Sequence, residues 1–401
     1  MQIQDFRRVS IYPLFLFGES QFFVTITFMK IGIDARFYGP YAGGGGLGRY
    51  VKELLDHLQE IDEENRYVVF LNREGWSAFT PKKPNFEKHL ADVRWYTLAE
   101  QIKMPGIIAR ERLDLIHFPH WNVPLFCRTP FVVTIHDVIL LDETHSATQA
   151  TTLPLPLYWL KRLGYRKVLH HALFKSRTVI VPSEFTRSRV MTHFPHLPKE
   201  KIRMIHEGST DISRFGQADK NLTLNAPYFL YVGNAFPHKN LESLLHAFSF
   251  FHKSHPEVKL VLVGREGVFY ERLKKELEEI DVPREAVVFT GFVSDDTLAS
   301  LYKNATLYVF PSRHEGFGLP PLEAMAHGVP VAASKTSSLP EILGDAAHYF
   351  DPDDIEDMVR VMESALSDED LRASLIQKGY ERIKRYSWRT MAQETRRIYL
   401  S

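Results

Sequence analysis

Short apolar runs of four to six residues recur along the chain, and longer stretches with helical periodicity separate them. The runs are rich in β-branched and aromatic residues, as buried strands are. They cover residues 31–36, 67–71, 115–118, 131–135 and 179–182 in the first half of the chain, and 228–233, 259–264, 287–292 and 305–310 in the second half. Because strands and amphipathic helices alternate, the pattern predicts an α/β protein with parallel, doubly wound sheets.

The periodicity fades between residues 209 and 226, where small and polar residues dominate. A chain of 401 residues is also longer than one ordinary hydrophobic core supports. We therefore expect two domains, at 29–215 and 216–386. Residues 1–28 are expected to be an N-terminal extension or the product of a misplaced start, because their apolar run is interrupted at 18–21 and is too short to span a membrane.

A glycine-rich loop follows the first predicted strand. Gly43, Gly45 and Gly48 satisfy the GxGxxG pattern of dinucleotide-binding loops. The second strand, however, is followed by Asn72, where a nicotinamide site would place an acidic residue that holds the ribose. The glycines therefore predict close approach of the backbone to a phosphate or a sugar as readily as to NAD. A flexible loop without a ligand is the alternative.

Two carboxylates lie close together in sequence between residues 311 and 330. Glu315 precedes a Gly-Phe-Gly turn, and Glu323 lies in a predicted helix whose first turn contains Pro320 and Pro321. A strand, a glycine-containing loop and a helix N-terminus together make a place where backbone N–H groups can hold an anion. Since carboxylates repel an anion that offers them no hydrogen bonds, we expect a ligand with phosphates and many hydroxyl groups. A nucleotide sugar is such a ligand.

Three other polar side chains fall near the ends of predicted strands. His136 directly follows one strand, and His120 follows another after one intervening residue. Ligands in doubly wound sheets bind beyond the carboxyl ends of the strands, so both histidines are candidates, although a lone histidine is commonly structural. Lys239 lies at the entrance of a predicted helix, where its charge opposes the helix dipole. A bound phosphate explains that position better than a stray charge.

The charge distribution adds an expectation about partners. The formal net charge is zero, which argues against nucleic acid, but residues 1–217 hold 28 basic and 22 acidic residues. This excess predicts an anionic partner for the first half, either membrane lipid or a phosphorylated acceptor, with scatter in surface charge as the alternative. The basic, aromatic segment 153–177 is either a helix that lies on an anionic membrane or a solvated helix with one face in the core.

Cysteine usage limits the compartment. Cys127 is the only cysteine, which excludes an intrachain disulfide and a cysteine-rich metal site. A single cysteine suits a reducing compartment, so we expect a cytoplasmic protein with peripheral contact at the inner face of the membrane through the basic first half.

Taken together, the motifs resemble one known family. Residues 45–49, 231–233 with 239–240, 311–319 and 338–341 are similar to motifs of the retaining glycosyltransferases of family 4, also called glycosyl transferases group 1, and in particular to mannosyltransferase-like members. The resemblance covers about residues 29–401. It implies the GT-B architecture, in which two Rossmann-like domains face each other across a cleft and a C-terminal helix, here 387–401, packs back on the first domain.

The resemblance also implies a role for each candidate residue. Glu323 would accept hydrogen bonds from the ribose, Glu315 would contact the transferred sugar, and Lys239 would neutralise the diphosphate as it leaves. His136 would orient the donor sugar or the acceptor. The predicted catalytic residues are therefore His136, Glu315 and Lys239. The predicted substrate-binding residues are Gly45, Gly46, Leu47, Gly48, Arg49, His120, Gly233, Asn234, Gly316, Phe317, Gly318, Leu319 and Glu323.

The implied reaction is transfer of a hexose, of mannose or glucose type, from a nucleotide-diphosphate sugar to a saccharide or lipid-linked acceptor. Cell-surface polysaccharide or lipopolysaccharide synthesis is the expected setting. Asn234 stands where many members have arginine, which favours GDP-mannose as the donor. A second cation for the phosphates would come from Arg49 or Arg313, or helix amides would replace it.

Retention is expected, with no cofactor and no metal. Residues 351–353 spell the DxD pattern of metal-binding loops, but their position before a predicted helix indicates a turn. An inverting enzyme would need a base, for which Asp137 is the candidate. Two other functions stay open. A non-catalytic nucleotide-sugar binder would keep the pocket without turnover, and an NAD(P)-dependent oxidoreductase would use the glycine loop but leave Glu315 and Glu323 without a role.

Overall fold

The structure is a computed structural model that describes residues 9–14, 22–39, 45–142, 155–209 and 226–401. Gly43 of the glycine pattern, most of the predicted linker at 209–226 and the predicted boundary between residues 215 and 216 lie outside the described residues. Within 1–28, the described residues contain two strands, β1 (Val9–Leu14) and β2 (Phe22–Thr27), which pair with each other antiparallel as a separate two-stranded sheet.

A seven-stranded sheet contains most of the strands predicted in the first half. Its members are β3 (Lys30–Asp34), β4 (Arg66–Leu71), β5 (Phe86–Leu90), β6 (Leu115–Phe118), β7 (Phe131–Thr134), β8 (Val179–Val181) and β9 (Ile202–Met204). Their spatial order is β5-β4-β3-β6-β7-β8-β9, and the pairings from β5 to β7 are parallel. The helices of this part of the chain are α1 (Gly46–Ile61), α2 (Arg73–Ala78), α3 (Leu98–Arg110), α4 (Ile139–Asp142), α5 (Leu155–Lys175) and α6 (Glu184–His193).

A six-stranded parallel sheet follows. It consists of β10 (Tyr228–Val232), β11 (Lys259–Val263), β12 (Val287–Gly291), β13 (Leu307–Phe310), β14 (Val331–Ser334) and β15 (Ala347–Phe350), in the order β12-β11-β10-β13-β14-β15. The accompanying helices are α7 (Leu241–Ser254), α8 (Val268–Glu279), α9 (Asp295–Asn304), α10 (Leu319–Ala326), α11 (Leu339–Leu343), α12 (Ile355–Ser367), α13 (Glu369–Ile383) and α14 (Trp388–Tyr399). Two Rossmann-like parallel sheets confirm the predicted α/β, doubly wound class.

The chain divides into two compact units that interleave in sequence. The first unit consists of Met1–Thr134, Lys167–Val179 and Thr395–Ser401, and the second consists of Ile135–Arg166 and Ile180–Glu394. In the first unit, Tyr399 is buried with its hydroxyl 2.6 Å from Nδ1 of His117, and Arg396 donates to Asp62 across 2.7 Å. The last residues described therefore complete the packing around α1 and β6.

The observed elements differ from the sequence-based prediction in several places. Strand β5 was not predicted, because an edge strand has little apolar surface to bury and its sequence, FEKHL, has no apolar run. Helix α3, for which no bounds were predicted, contains Pro105 in its interior and continues to Arg110. Helix α1 also begins at Gly46, three residues before the predicted start at Arg49.

Helix α5 combines the two alternatives weighed for the basic segment. Its second half buries Leu169, Ala172 and Leu173, as a helix with one face in the core does. In its first half Trp159 and Leu160 are 49% and 65% exposed. No helix within the described residues is long and apolar enough to cross a membrane.

Candidate functional site

The second sheet reverses its strand order between β10 and β13, and this is where doubly wound sheets bind ligands. Gly233 and Asn234 follow β10, and the segment that begins at Pro311 follows β13. The predicted residues of the second unit converge on this edge.

Lys239 and Glu315 form an ion pair at this edge. Lys239 Nζ lies 2.5 Å from Glu315 Oε1, and the two side chains are only 14% and 11% exposed. Lys239 ends a short 3₁₀ turn, and Asn240 behind it adopts a left-handed backbone with its side-chain amide donating to Pro352 O at 2.8 Å. The structure therefore gives Lys239 an internal partner, whereas the sequence suggested a bound phosphate as the explanation for its charge.

The backbone around Glu315 is fixed by two serines. The Glu315 N–H donates to Ser337 Oγ at 3.1 Å, and the Ser338 hydroxyl donates to the carbonyls of Glu315 and Phe317 at 3.0 and 3.2 Å. Ser337 has a φ of +56°, which an L-residue adopts only when its surroundings hold it there. The loop that carries Glu315 is thus preorganised.

Gly316 makes the closest backbone approach in the site. A Cβ atom added at this position would lie 1.9 Å from the carbonyl oxygen of His136, so no other residue fits without a shift. The Gly316 carbonyl accepts hydrogen bonds from the hydroxyls of Ser183 at 2.6 Å and Thr186 at 3.3 Å. Glu341 accepts the N–H groups of residues 184 and 185, at 2.8 and 2.9 Å, and so fixes the start of α6 beside the same loop.

Helix α10 begins directly after this loop. Gly318 precedes it with a φ of +102°, and Pro320 and Pro321 occupy its first turn as predicted. Because prolines have no N–H, the amides that remain for an anion at this terminus are those of residues 316–319. Glu323 follows one turn later, is buried, and accepts a hydrogen bond from the Tyr302 hydroxyl at 3.3 Å.

His136 is oriented by a carboxylate that the sequence did not indicate. Its Nδ1 lies 2.8 Å from Oε1 of the buried Glu207, and this contact stabilises the tautomer protonated at Nδ1. Asp137 beside it accepts the N–H of Ile139 at 3.1 Å, and burial raises the pKa of its carboxyl. A carboxyl with a raised pKa can exchange a proton nearer neutral pH than an ordinary aspartate.

Gly233 and Asn234 line the opposite side of the same edge. The Gly233 carbonyl accepts from the Tyr270 hydroxyl at 2.8 Å, and Asn234 Oδ1 accepts the N–H of Phe236 at 3.3 Å. Gly264, at the end of the neighbouring strand, lies so close that a Cβ there would approach Gly233 O to 2.0 Å. Glycines at adjacent strand ends let the backbones pack tightly beneath the site.

The remaining predicted residues belong to the first unit. Gly46, Leu47, Gly48 and Arg49 form the first turn of α1, after Gly45 with a φ of +87°, and this turn carries no acidic side chain. Its N–H groups and the helix dipole therefore favour an anion. His120 follows β6, and its Nδ1 lies 3.2 Å from the Tyr96 hydroxyl.

Several contacts of the candidate site could not be predicted from the sequence. Glu207, Ser183 and Thr186 lie more than 100 residues before the Glu315 loop, and nothing in their own neighbourhoods marks them as part of this site. Ser183 is also the N-cap of α6, where it accepts the Thr186 N–H. Glu341 appeared only within the family resemblance, without a role.

The acidic pattern at 351–353 forms a turn. Asp351 Oδ1 accepts the N–H of Asp353 at 3.1 Å, and Arg313 pairs with Asp353 at 2.7 Å. Arg313 thus has a carboxylate partner outside the phosphate position considered for it. Among the described residues, no cluster of three or more histidine, cysteine or acidic side chains is arranged to hold a metal ion.

Comparisons with known proteins identify the family of this chain. Residues 44–209 match the family described as Glycosyltransferase Family 4, and residues 214–382 match Glycosyl transferases group 1. The chain is 30% identical to the O-antigen chain mannosyltransferase B of Escherichia coli, over 88% of this chain and 95% of that protein.

Two further similarities, one to a protein sequence and one to a solved structure, cover different shares of this chain. The serotype-specific mannosyltransferase WbdA of Escherichia coli is 41% identical over 160 residues, 39% of this chain, and the match spans only 19% of the length of WbdA. The crystal structure of Anabaena Alr3699/HepE in complex with UDP-glucose has a TM-score of 0.69 at 19% identity, and the alignment covers 92% of this chain and 99% of that one.

Proposed function

The chain belongs to the glycosyltransferases of family 4, with two Rossmann-like domains of the GT-B class, and we propose that it moves a hexose from a nucleotide-diphosphate sugar to a saccharide acceptor. The observation that carries the proposal is the buried Lys239–Glu315 pair at the strand-order reversal of the second sheet, followed by the helix that contains the buried Glu323. A cation, two carboxylates and free helix amides match the phosphates and hydroxyls of such a donor.

In this proposal each group of the donor meets a group of opposite character. The ribose hydroxyls donate to Glu323, and the diphosphate lies between Lys239 and the amides of residues 316–319. Glu315 then faces the sugar, where its negative charge stabilises the positive charge that develops at the anomeric carbon. Lys239 exchanges its bond to Glu315 for the phosphate when the donor enters.

The proposed reaction proceeds with retention. The bond between the anomeric carbon and the phosphate oxygen breaks, and the acceptor oxygen forms a bond to the same face of that carbon. The acceptor proton passes to the departing phosphate, so no separate base is required. Because Lys239 neutralises charge that grows on the phosphate, it stabilises the transition state more than the bound donor. No metal ion is needed in this scheme, so we expect the rate in EDTA to equal the rate without it.

The identities of the donor and the acceptor are proposed from individual residues and from the names of relatives. Asn234 and the Lys239-Asn240 pair favour GDP-mannose, and the mannosyltransferase names of two relatives support that sugar. The likeness to a protein crystallised with UDP-glucose keeps a UDP-linked hexose as the competing donor. The O-antigen relative supports a saccharide or lipid-linked saccharide acceptor in cell-surface polysaccharide synthesis.

We further propose that the protein works in the cytoplasm and rests on the membrane through α5. Trp159, Leu160 and Leu163 are exposed on this helix, and Lys161 and Arg166 stand among them, also exposed. Apolar side chains that enter the lipid and cations that meet anionic head groups are the combination that binds a helix to such a surface.

A panel of nucleotide sugars tests the central proposal. Thermal shift and release of nucleoside diphosphate are measured for GDP-mannose, GDP-glucose, UDP-glucose and NADH, with and without saccharide acceptors. We expect GDP-mannose to stabilise the protein and to be turned over. Stabilisation without turnover would indicate a non-catalytic binder, and a response to NADH alone would indicate an oxidoreductase.

The matched variants are Glu323→Ala and Glu363→Ala, the latter an exposed glutamate on α12. Each hydrogen bond lost from ribose to a charged partner costs about 1.5–3 kcal/mol. We therefore expect Glu323→Ala to lower kcat/KM by about 10–10²-fold, with Tm within a few degrees, while Glu363→Ala behaves as wild type. Undiminished activity of Glu323→Ala would remove Glu323 from the ribose site.

A further inference from the structure

The first sheet has its own strand-order reversal, between β3 and β6, and a group of aromatic side chains lies there. We name the group the aromatic rim: it consists of Trp95, Tyr96, His120 and Trp121. His120 and Trp121 follow β6, and Phe37, which follows β3, packs beneath the rim with its ring centroid 4.7 Å from Trp95 and 5.7 Å from His120. Ligands of doubly wound sheets bind at such reversals.

The rim has a defined geometry. The rings of Tyr96 and Trp121 are stacked, with centroids 4.9 Å apart and planes 15° apart. The Tyr96 hydroxyl reaches Nδ1 of His120 at 3.2 Å. Phe37 is buried, yet Tyr96 is 46% exposed. Apolar ring surface and polar atoms are thus presented to solvent side by side.

The backbone of Tyr96 is strained, and a buried charge network holds it. Its φ is +59°, a left-handed conformation that is uncommon for a bulky residue and that persists where the surroundings impose it. The Tyr96 N–H donates to Glu100 Oε2 at 2.9 Å, while Glu100 Oε1 accepts from the side chain of Asn122 at 2.6 Å. One carboxylate therefore positions the backbone of Tyr96 and the residue that follows Trp121.

The Glu100 carboxylate is itself held by Arg36. Arg36 donates to Glu100 at 2.6 Å and to both oxygens of Asp34 at 2.7 and 2.6 Å, and all three side chains are buried. Burying three charges costs free energy that a well-packed apolar core would not require. Core packing alone does not account for a network that ends on a half-exposed tyrosine.

We propose that the aromatic rim binds one pyranose ring of a neutral saccharide, and, resting on the proposed function, that this ring belongs to the acceptor. One face of a pyranose presents C–H groups that pack on an aromatic ring, and its edge presents hydroxyl groups. Tyr96 and Trp121 supply the ring surface, and the Tyr96 hydroxyl and His120 supply hydrogen bonds. In this network two carboxylates, Asp34 and Glu100, share the single cation Arg36, so it offers no cation to an anionic sugar and favours an uncharged one.

The test measures saccharide binding separately from donor chemistry. Saturation-transfer NMR and calorimetry are carried out on the full chain with α-linked mannobiose, and with galacturonic acid as a charged comparison. The variants are Tyr96→Ala, which removes the ring, Tyr96→Phe, which removes only the hydroxyl, and Trp76→Ala, a control in the same unit. Trp76 is a partly exposed tryptophan on α2 outside the rim.

We expect mannobiose to receive saturation from aromatic protons of the wild type and of Trp76→Ala. Tyr96→Ala should raise the Kd about tenfold, which corresponds to about 1.4 kcal/mol, and Tyr96→Phe should raise it less. Equal affinity of Tyr96→Ala and the wild type, or absence of mannobiose binding to the wild type, would overturn the aromatic rim as a saccharide site. Tighter binding of galacturonic acid would overturn the assignment to a neutral sugar.

The experiments distinguish failure of the proposed function from failure of the aromatic rim as a saccharide site. If no nucleotide sugar is bound or turned over, while mannobiose binding is lost in Tyr96→Ala, the rim stands as a saccharide site and its assignment to an acceptor falls. If donor turnover is observed and Tyr96→Ala changes neither mannobiose affinity nor the KM for a saccharide acceptor, the proposed function stands and the rim is overturned.

Discussion

At the scale of single residues, the candidate site contains a cation and a carboxylate that neutralise each other, and the proposed donor would separate them. Lys239 and Glu315 are both largely buried, so neither is stabilised by bulk water. Removing one partner leaves the other as an uncompensated charge in a low dielectric, which is costly. A substitution here therefore changes both the empty protein and the complex.

Lys239→Ala should act mainly on kcat. The negative charge on the leaving phosphate is larger in the transition state than in the bound donor, so a stabilising cation contributes most there. Removing one group that stabilises charge in a transition state commonly lowers kcat by about 10²–10³-fold, and we expect a loss of that size here. Lys253→Ala, an exposed lysine of α7, serves as the control in steady-state assays. A change in KM with kcat intact would contradict this role.

Candidate residues could be named from the sequence, but their partners could not. Glu315, Glu323 and Lys239 were recognisable because their surroundings in sequence, a glycine turn, two prolines and a helix entrance, carry information about the backbone there. The partner of His136 was not, since Glu207 is 71 residues away and the contact depends on how distant strands align. Local patterns show which groups can react; the fold decides which groups they meet.

At the scale of elements, the loop between β13 and α10 is held from three directions. Ser337 and Ser338 before α11 bind its backbone, Ser183 and Thr186 at the start of α6 bind the Gly316 carbonyl, and the main chain at His136 leaves no room for a side chain. Helix α6 is in turn fixed by Glu341. Elements that lie far apart in sequence therefore fix the position of this loop together.

Gly316→Ala tests this close packing. The new Cβ would meet His136 O at 1.9 Å, so the loop or the histidine must move. We expect a loss of stability of about 1–3 kcal/mol, as for other overpacked sites, together with a large loss of turnover. Thermal melting and product release measure the two effects.

Gly267→Ala is the matched control for that substitution. A Cβ at Gly267 would meet nothing within 4 Å, and its φ of 169° is extended backbone that alanine adopts. It should melt and turn over donor like the wild type. If Gly316→Ala did the same, the contact with His136 would have no part in positioning the loop.

The exposed half of α5 gives a second prediction at this scale. Aspartates in place of Leu160 and Leu163 remove apolar surface and add charges that anionic lipids repel. In sedimentation with vesicles of phosphatidylglycerol and phosphatidylethanolamine, we expect the wild type and Phe250→Asp, changed at an exposed position of α7, to bind, and the double variant to stay in solution. Equal binding of all three would exclude α5 as the contact. Equal binding of the wild type to phosphatidylcholine alone would exclude the role of its cations.

Elements with strong periodicity were the ones that the sequence predicted. The buried strands β6 and β10 and the helix α1 bury enough apolar surface to leave a pattern. Strand β5 buries little because it lies at the edge of its sheet, so its sequence carries no comparable pattern. Of the aromatic rim, only His120 was named from the sequence. Trp95, Tyr96 and Trp121 lie in connections between elements, where no periodicity marks them.

At the scale of the whole chain, the first unit is assembled from segments that are far apart in sequence. Arg396 of α14 donates to Asp62 at the end of α1, and Asp62 also accepts from Asn65 and from the Tyr67 hydroxyl. Burial by itself would raise the pKa of Asp62, but these hydrogen bonds outweigh it and lower the pKa to about 2.

Arg396→Gln should therefore destabilise the protein in a pH-dependent way. A carboxylate whose pKa is lower in the folded than in the unfolded protein stabilises above its unfolded value of 3.8, and that stabilisation is lost as the pH falls towards about 2. We expect the wild type to melt higher than the variant at pH 6, and the difference to shrink between about pH 4 and pH 2. Arg397→Gln, at an exposed neighbour on α14, is the control. A difference in Tm that is constant with pH would show that Arg396 acts by packing alone.

The interleaving of the two units has a consequence for the order of events during synthesis. His117 and Asp62 leave the ribosome long before Tyr399 and Arg396, their partners in the first unit. At 5–20 residues per second, the 282 residues that separate His117 from Tyr399 take roughly 15–55 s to translate. During that interval the second unit is being synthesised, and His117 lacks its hydrogen-bond partner until residues 395–401 follow. The first unit therefore completes its packing only after the whole of the second unit has been made.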